Sequence, residues 1–319
     1  MSLLIIILII SSYRSVYSFT VFYDDNASWE VDYICKELFS RLHNYTVVNL
    51  KGNLVANLTY FKLKDGIVGK NAYIFSANPR YDYEKTLEVV QYIQPSIIIH
   101  VSDEGGGNVK FDGLRNYTKY YVRQYCHGFD SAKNDITYLP LGYMGGVYAK
   151  SPTSSSTYID AQVLLNKKRE FVWTFVGNQH KQDRPEMLSA FAEHLKPYYL
   201  PSNTTRTPST NITEIYSNVL FVPIGKGQVN HDCFRIYEAA SCGAIPVIVA
   251  TAAEIQTEFG CHQPSVPWIF ANSWLEASVK VLALLNNESK LKKRQAHVLK
   301  WWRRKVAEVQ KGIEKAALQ

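Results

Sequence analysis

The sequence predicts an α/β fold of two Rossmann-like domains with a cleft between them, followed by a C-terminal helix. Three observations predict it. Short apolar β-type runs alternate with segments of helical periodicity along the 319 residues, which is typical of parallel sheets. The run Ile97–Ile99 is continuously apolar, as in a strand covered on both faces. A Ser/Thr-rich segment at 151–157 separates two such alternations and marks a domain boundary.

The first alternation defines an N-terminal domain at 19–150. Its helical segments, 29–43 and 83–93, carry apolar residues three and four positions apart. Its predicted strands are short runs rich in β-branched and aromatic residues. They lie at 19–23, 45–50, 73–76, 96–101, 120–126 and 136–139.

The second alternation defines a C-terminal domain at 151–289. Helices are predicted at 183–195, 233–242 and 273–285, and strands at 171–176, 198–200, 219–222, 245–249 and 268–270. The segment 290–319 is predicted as a basic amphipathic tail helix, because an apolar stripe opposes a basic face. The stripe contains Val298, Trp302, Val306, Val309 and Ile313.

The positive charge of the chain is concentrated in that tail. The formal net charge is +7, and the ten Lys/Arg and two Glu from Lys290 onward contribute +8, which leaves −1 for the rest. The charge therefore gives no signal for nucleic-acid binding by the fold, and we expect no nucleic-acid partner. For the tail, a packed helix with a solvated charged face is favoured over contact with anionic membranes or glycans.

The N-terminus has the pattern of a secretory signal or a short anchor. Eight apolar residues run from Leu3 to Ile10, far fewer than the roughly 20 that span a bilayer. Val16 and Ser18 suit signal-peptide cleavage, although no basic segment precedes the apolar run. Residues 1–18 are therefore predicted as a signal peptide or short anchor, and membrane association through the N-terminus stays open.

Asparagine usage favours a secreted or lumenal chain, and the cysteines are too few for a disulfide scaffold. N-x-S/T sequons occur at seven positions, where about two or three are expected by chance. The five cysteines show no C-x-x-C or metal-ligand spacing, and their odd number leaves at least one outside an intramolecular disulfide. We expect glycosylation at some sequons, first at Asn203 and Asn211. The others are Asn26, Asn44, Asn57, Asn116 and Asn287.

A nucleotide site is predicted around 231–249, where a loop, a helix capped at Asp232 and a buried strand follow one another. His231, Arg235 and Glu238 are spaced i, i+4, i+7 and would share one helix face. Arg235 suits phosphate oxygens, and Glu238 suits the ribose hydroxyls of a nucleotide. The alternative is that Arg235 and Glu238 form a surface ion pair one turn apart.

Glycine and cationic residues complete the predicted nucleotide site. Gly225, Lys226 and Gly227 form a loop just before the helix, where main-chain N–H groups and the helix dipole favour an anion. Arg184 follows a second loop at 177–181. We assign Arg184 and Lys226 as secondary phosphate ligands.

Asp103 and Glu104 are the candidate catalytic bases. They follow the predicted strand 96–101 and precede three glycines, at the edge where an open α/β sheet places its chemistry. A plain loop in which Asp103 is only a capping residue is the alternative.

Motifs of other enzyme classes are absent from the sequence. Gly225-x-Gly227 lacks the third glycine of a dinucleotide site, since Asn230 stands in its place. No H-E-x-x-H, G-x-S-x-G or Walker loop occurs, and the nearest acidic triplet, 82–84, lies at a helix start. We therefore expect no metal ligands and no required cofactor.

The segments Cys233–Ala239 and Cys242–Val247 closely resemble the signature of the exostosin-type glycosyltransferases, and within them the ribitol-5-phosphate xylosyltransferase branch. Weaker blocks extend the resemblance over most of the chain from about residue 70, at 102–104, 123–125, 140–142, 268–270 and the tail helix. The resemblance implies a GT-B fold, a UDP-sugar donor, an inverting reaction and residence in the Golgi lumen. The short apolar run at the N-terminus departs from the usual anchor and stem.

This branch implies transfer of xylose from UDP-xylose to ribitol-5-phosphate on a glycoprotein O-glycan. The implied partners are a nucleotide-sugar donor, bound by the domain at 151–289, and a glycan or glycoprotein acceptor on the side of the domain at 19–150. Two alternatives stay open: an exostosin-like transferase that uses another UDP-sugar, and a non-catalytic lumenal protein of GT-B fold that binds glycans. The presence of Arg235, Glu238 and Asp103 counts against the second alternative.

An acceptor of this kind carries a phosphate and calls for cations in the first domain. Arg115, Lys119 and Arg123 are spaced i, i+4, i+8, so a helix over 114–125 would place them on one face as acceptor ligands. A strand beginning at 120 and a solvated basic face near Asn116 are the alternatives.

Overall fold

The computed structural model describes residues 19–24, 27, 30–42, 45–50, 70–76, 83–105, 109–126, 135–144, 160–201 and 209–319. They form two parallel β-sheets with connecting helices and one long C-terminal helix, so the predicted α/β fold of GT-B type with two Rossmann-like domains is confirmed. The predicted signal peptide or anchor at 1–18 and the boundary segment 151–157 lie outside the described residues. So do the sequons at Asn26, Asn44, Asn57 and Asn203.

The first sheet contains β1 (Phe19–Tyr23), β2 (Tyr45–Asn49), β3 (Asn71–Ser76), β4 (Ile97–Val101), β5 (Tyr120–Arg123) and β6 (Ile136–Tyr138). Their order is β2-β1-β3-β4-β5-β6, and all neighbours are parallel. The direction of strand addition therefore reverses between β1 and β3. Both β3 and β4 are buried along their whole length, which explains the continuous apolar run in β4.

The second sheet contains β7 (Phe171–Thr174), β8 (Tyr198–Tyr199), β9 (Val219–Ile224), β10 (Ile245–Val249) and β11 (Ile269–Ala271). Their order is β11-β10-β9-β7-β8, again with parallel neighbours. After β7 the chain first adds β8 at one side and then crosses to the other side for β9. The reversal point of this sheet is thus between β7 and β9.

The helices are α1 (Val31–Tyr33), which continues as a π-helical segment at Ile34–Leu38, α2 (Tyr83–Ile93), α3 (Ala161–Asn166), α4 (Arg184–His194), α5 (Ser209–Ser217), α6 (Phe234–Ser241), α7 (Ala252–Phe259), α8 (Trp274–Leu285) and α9 (Glu288–Leu318). A 3-10 helix spans Val109–Tyr117. Across the described ranges, no helix combines the length and apolar character that crossing a membrane requires.

Most predicted elements are observed, and β1, α2 and β10 have the predicted bounds. Four helical segments were not predicted: α3, α5, α7 and the 3-10 helix. α3 is too short to show a period, and α5 begins at the end of a Ser/Thr-rich stretch. α7 carries a detectable signal, since Thr251 and Glu254 form a capping box.

The tail helix α9 packs against both domains. Its predicted apolar stripe is buried. The ring centroids of Trp302 lie 6.0 Å from Tyr237 of the second domain and 5.9 Å from Tyr33 of the first. Further along, Gln310 Nε2 donates to the Glu37 carbonyl at 2.9 Å. The helix therefore joins the two domains.

A disulfide joins the domains at a second place. Cys126 follows β5 of the first sheet and pairs with Cys261, which follows α7 of the second domain, with their Cα atoms 5.4 Å apart. Cys35, Cys233 and Cys242 are free thiols. This agrees with the prediction that at least one cysteine stays outside an intramolecular disulfide.

Candidate functional site

The reversal point of the second sheet, called the crevice below, lies between the carboxyl ends of β7 and β9. Ligands of open α/β sheets bind at such a point because the connecting segments diverge there. Two loops leave the sheet here, 175–178 after β7 and 225–227 after β9. The loop 225–227 is the glycine loop that was predicted to bind phosphate. The loop 175–178 continues into the segment that precedes Arg184.

Arg235 and Arg184 both lie in this crevice, as predicted from their positions in the sequence. Arg235 stands on the first turn of α6, and Arg184 is the first residue of α4. Their guanidinium groups lie over the same ring, at 5.5 and 5.4 Å from the centroid of Phe175. Arg235 Nε donates to the Val176 carbonyl at 2.6 Å.

Arg184 is held by two carbonyls, one from each loop. Nη1 donates to Asn178 O at 2.8 Å and Nη2 to Lys226 O at 3.0 Å. Desolvation, followed by the charge of Arg235, lowers the pKa of Arg184 from its ordinary value. Because carbonyls do not neutralise a guanidinium, the crevice keeps two adjacent positive charges, and an anion between them would relieve their repulsion.

The glycines of both loops allow this arrangement. Gly177 has φ +150°, and a Cβ there would lie 2.7 Å from Arg235 Nη2. At Gly225 a Cβ would lie 2.6 Å from Arg184 Cγ. A side chain at either position would therefore displace an arginine. Gly227 closes its loop by donating to Asn230 O at 2.7 Å.

Lys226 lies at the edge of the crevice rather than between the arginines. Its main-chain N–H donates to Asp183 Oδ1 at 3.1 Å. Its ammonium lies 3.2 Å from Glu254 Oε1 in the first turn of α7. The side chain is half-buried, so its predicted part as a phosphate ligand requires release from Glu254.

The prediction that His231 shares a helix face with Arg235 is wrong. α6 begins after its N-cap Cys233, so His231 lies in the preceding loop. Its buried ring places Nδ1 3.2 Å from Glu258 Oε1, and its main-chain N–H donates to Glu258 Oε2 at 2.9 Å. His231 thus has a partner in α7 instead of a place beside the arginines.

Glu238 lies one turn after Arg235 on α6, as predicted. The side chain is buried, and Oε1 accepts the main-chain N–H of Met144 at 3.3 Å. Met144 follows β6, so this bond crosses between the domains. Burial raises the pKa of the Glu238 carboxyl to about 7, and the charge of Arg235 opposes that rise.

Glu104 joins the first domain to the loop before α6. Its Oε1 accepts the main-chain N–H groups of Gln228 at 3.1 Å, Val229 at 3.0 Å and Asn230 at 3.4 Å. Successive N–H groups that converge on one oxygen form an anion site. The N–H groups beside the glycine loop are therefore satisfied by a carboxylate of the protein itself, and the part of Glu104 as a base stays a prediction.

Asp103 and Arg123 form a buried ion pair, which corrects two predictions. Arg123 Nη2 lies 2.6 Å from Asp103 Oδ2, and Nη1 lies 2.6 Å from Asp112 Oδ1. The Arg123 side chain is 0% exposed and that of Asp103 2%. Asp103 does not face the cleft as a base, and Arg123 is not placed to meet an acceptor, because either role would break a desolvated ion pair.

Arg115 and Lys119 do not share a face with Arg123, which corrects the helical alternative for 114–125. The 3-10 helix ends at Tyr117 and β5 follows, so the predicted strand is the observed one. Arg115 Nε pairs with Asp135 Oδ2 at 2.9 Å. Lys119 is exposed at the amino end of β5, the opposite end of the sheet from the edge that carries Glu104.

Ser102 and Glu30 were missed by the sequence reasoning. Ser102 directly follows β4 and has φ +60°. Its hydroxyl donates to Oε1 of Glu30, a buried residue just before α1. Desolvation raises the pKa of Glu30 to about 7. The sequence does contain an indication of a polar site in this region. Asp24 directly follows the first predicted strand, at the carboxyl edge where parallel sheets place their functional groups.

The chain is similar in sequence to one protein family and to named relatives. The family model described as the RXYLT1 C-terminal domain matches residues 148–315. The chain is similar to ribitol-5-phosphate xylosyltransferase 1 of Mus musculus, with 23% identity over 262 residues, 73% of this chain and 56% of that protein. For the Danio rerio protein of that name the identity is 26% over 163 residues, 46% of this chain and 36% of that protein. The chain thus spans about half the length of the mouse relative and about a third of the zebrafish one.

One solved structure with a similar fold is that of Anabaena Alr3699/HepE in complex with UDP and glucose. The TM-score is 0.48 and the identity 10%, with 93% of this chain and 98% of that chain covered.

Proposed function

The chain belongs to the RXYLT1 C-terminal domain family, and from this premise we propose that it is an inverting glycosyltransferase with a UDP-sugar donor. The full-length relatives are named ribitol-5-phosphate xylosyltransferases. By analogy, the proposed donor is UDP-xylose, and the proposed acceptor is ribitol-5-phosphate on a glycoprotein O-glycan.

The arginine pair in the crevice carries the proposal. Arg184 and Arg235 put two positive charges at the reversal point of the second sheet, over the ring of Phe175. A diphosphate between them would receive charge-assisted hydrogen bonds from both guanidiniums. Glycines at the two loop positions leave the main chain close to such a ligand.

The same pair supplies the electrostatic part of the reaction. When the sugar leaves its donor, negative charge develops on the diphosphate, and fixed cations that already face it stabilise that transition state. Arginine suits this task because it stays charged at any working pH. We therefore propose that activity needs no metal ion.

Glu238 is the proposed ribose ligand. It stands one turn beyond Arg235 on α6, and its side chain reaches the interdomain contact at Met144. A nucleoside bound along this face would replace that contact with hydrogen bonds from its ribose hydroxyls.

Residence in the secretory pathway, in the Golgi lumen, is also proposed. The seven sequons support it, and so does the disulfide between Cys126 and Cys261, because such bonds persist in oxidising compartments. Whether the N-terminus anchors the chain or is cleaved belongs to the same proposal.

The test is a transfer assay with protein from a secretory host. Parent protein is incubated with a ribitol-5-phosphate acceptor and, separately, UDP-xylose, UDP-glucuronate or UDP-galactose. We expect UDP release and an acceptor heavier by one pentose with UDP-xylose, with activity retained in EDTA. Arg294→Ala is the control for variants at Arg184 and Arg235 in this assay. Arg294 lies in the tail helix α9 and donates to the Pro267 carbonyl.

Each other outcome corrects a stated part of the proposal. Product from another donor would change the sugar. UDP binding without product from any donor would favour the glycan-binding alternative. Loss of activity in EDTA that Mn²⁺ restores would show that the arginines do not act without a metal. Unchanged gel mobility after glycosidase treatment would contradict the lumenal assignment.

A further inference from the structure

The carboxyl edge of the first sheet carries polar groups that the donor crevice does not use. Asp24 follows β1 and accepts through Oδ2 the main-chain N–H of Ser76, the last residue of β3, at 3.1 Å. These residues mark the reversal point of the first sheet, the counterpart of the crevice between β7 and β9. Ser102 lies at the same edge, directly after β4.

Ser102 is held in a fixed and uncommon conformation. Its φ of +60° lies in the left-handed region, which non-glycine residues rarely adopt and which clusters at functional sites. Its main-chain N–H donates to Gln124 Oε1 at 3.1 Å, and Gln124 Nε2 donates to the Leu141 carbonyl at 3.3 Å. These bonds fix the main chain at Ser102, whose residue is only partly buried.

Glu30 accepts a hydrogen bond from Ser102 through only one of its two carboxylate oxygens. The hydroxyl of Ser102 donates to Oε1, whereas Oε2 is buried without a hydrogen-bond partner among the described residues. Desolvation raises the pKa of Glu30 to about 7, the bond from Ser102 opposes that rise, and the negative charge of Asp24 adds to it. A carboxyl with this pKa can accept a proton at neutral pH.

Tyr125 lies close both to this pair and to the second domain. This buried tyrosine follows β5 with φ +59°. Besides desolvation, negative groups from both domains raise the pKa of its phenol, among them Asp232 and Glu30. Asp232 lies three residues before Arg235. Tyr125 therefore lies between the Ser102–Glu30 pair and the segment of the second domain that leads to Arg235.

We propose that Ser102 and Glu30 form the proton relay that deprotonates the acceptor hydroxyl, an inference that rests on the proposed transferase activity. As the acceptor oxygen bonds to the anomeric carbon, its proton passes to Ser102 Oγ while the proton of Ser102 passes to Glu30. The bond from the anomeric carbon to the diphosphate oxygen breaks, and UDP leaves with that electron pair. Glu30 then returns the proton to solvent.

Two variants remove the relay in different ways. Glu30→Gln keeps the shape but cannot take up the proton. Ser102→Gly removes the hydroxyl and tolerates the positive φ, so a loss in this variant does not come from backbone strain. We expect each to lower kcat about 10²-fold or more, the size typical of acid–base catalysis. The double variant should lose no more than the worse single variant, because the two groups act as one unit.

The pH profile separates a relay from a structural role. Parent kcat/KM should fall as the pH drops below about 7, where Glu30 becomes protonated, and E30Q should lack this limb. The titratable groups that interact with Glu30 in the described chain include Asp24 and Tyr125. Both are unchanged in S102G. UDP affinity, measured by calorimetry, should stay within about twofold of the parent in every variant.

Glu37→Gln is the matched control, since Glu37 is a buried glutamate in the segment after α1 that takes no part in the relay. It should keep the parent kcat and pH profile. An active parent with unchanged kcat in E30Q or S102G overturns the relay alone, whereas a parent inactive with every donor overturns the proposed function. A difference infrared titration of parent against E30Q adds a readout without turnover: a Glu30 carboxyl that titrates near pH 4 overturns the relay.

Discussion

Asn230 and Glu104 bind each other across the two domains in both directions. The Asn230 side-chain amide donates to the Glu104 carbonyl at 2.8 Å, and the Glu104 carboxylate accepts the Asn230 main-chain N–H at 3.4 Å. The same carboxylate oxygen also accepts N–H groups from Gln228 and Val229. One side chain of the first domain thus orders the loop that leads into the arginine-bearing helix of the second.

Replacing Glu104 by Ala should destabilise the protein by about 1–3 kcal/mol, because several main-chain donors lose a charged acceptor. Glu104→Gln keeps an acceptor oxygen and should cost less. Denaturant unfolding measures both, with Glu193→Gln, an exposed residue of α4, as the control. Equal midpoints for E104A and the parent would show that the contact does not hold the domains together.

Replacing Arg235 by Lys should weaken UDP binding at least about tenfold. Lysine retains the charge but lacks the planar group that binds a phosphate through two N–H donors, and a lost charge-assisted bond is worth about 1.5–3 kcal/mol. Calorimetry with UDP gives the dissociation constant. Arg294→Lys should bind UDP like the parent. If R235K does too, the arginine pair is not the diphosphate site.

Glu238→Gln should change how stability depends on pH. The folded pKa of Glu238, about 7, is above its unfolded value of 4.5. Between these pH values the folded state binds more protons, so the unfolding free energy falls as the pH rises, by up to about 3 kcal/mol from this group. The permanently neutral variant lacks that contribution.

The measurement for Glu238 is the difference between variant and parent in denaturant unfolding at about pH 4.5 and pH 8. A difference is needed because His262, whose pKa burial lowers to about 3, contributes the opposite slope. The stability of E238Q relative to the parent should rise with pH. A difference that does not change with pH contradicts the raised pKa.

Arg123→Met should destabilise the protein by about 3–5 kcal/mol, since it leaves Asp103 and Asp112 buried without their cation. Arg115→Met, at a pair that solvent reaches, should cost about 0–1 kcal/mol. Thermal and denaturant unfolding compare the two. A folded R123M of parent stability with a raised acceptor KM would restore the acceptor role assigned from the sequence.

Replacing Cys126 and Cys261 together by Ser should lower stability by about 2–5 kcal/mol, because the disulfide closes a long loop of 135 residues of sequence separation. Reductant should lower the unfolding midpoint of the parent and leave that of the double variant unchanged. A parent midpoint that ignores reductant, together with free thiols by mass, would remove this interdomain link.

The fold could be predicted from the sequence because buried parallel strands have continuous apolar runs, and β4 and β10 are of this kind. The meeting of Arg184 and Arg235 could also be predicted, since each follows a glycine loop at a strand end. The helix start near His231 was misplaced because aspartate is a common N-cap residue and Asp232 was assigned that role. In the structure the Asp232 carboxylate instead accepts a hydrogen bond from the Tyr237 hydroxyl at 2.6 Å.

The proposed relay was less predictable because its groups are distant in sequence. Ser102 and Glu30 meet only when β4 and the segment before α1 lie at one edge of the sheet, and neither residue belongs to a local motif. For Arg123 the error was that a buried residue was predicted to lie on the surface. Its spacing from Lys119 suggested a surface cation, but β5 turns it into the core, where Asp103 and Asp112 neutralise it.

The way α9 spans both domains sets an order for biosynthesis. Tyr33 leaves the ribosome long before Trp302, its partner in α9, is made. At about 5–20 residues per second that interval is on the order of 10–50 s. During this time the face of the first domain that α9 later covers stays open to chaperones and to other nascent chains. A premature stop codon ahead of Trp302 would therefore harm the part of the protein that is synthesised first.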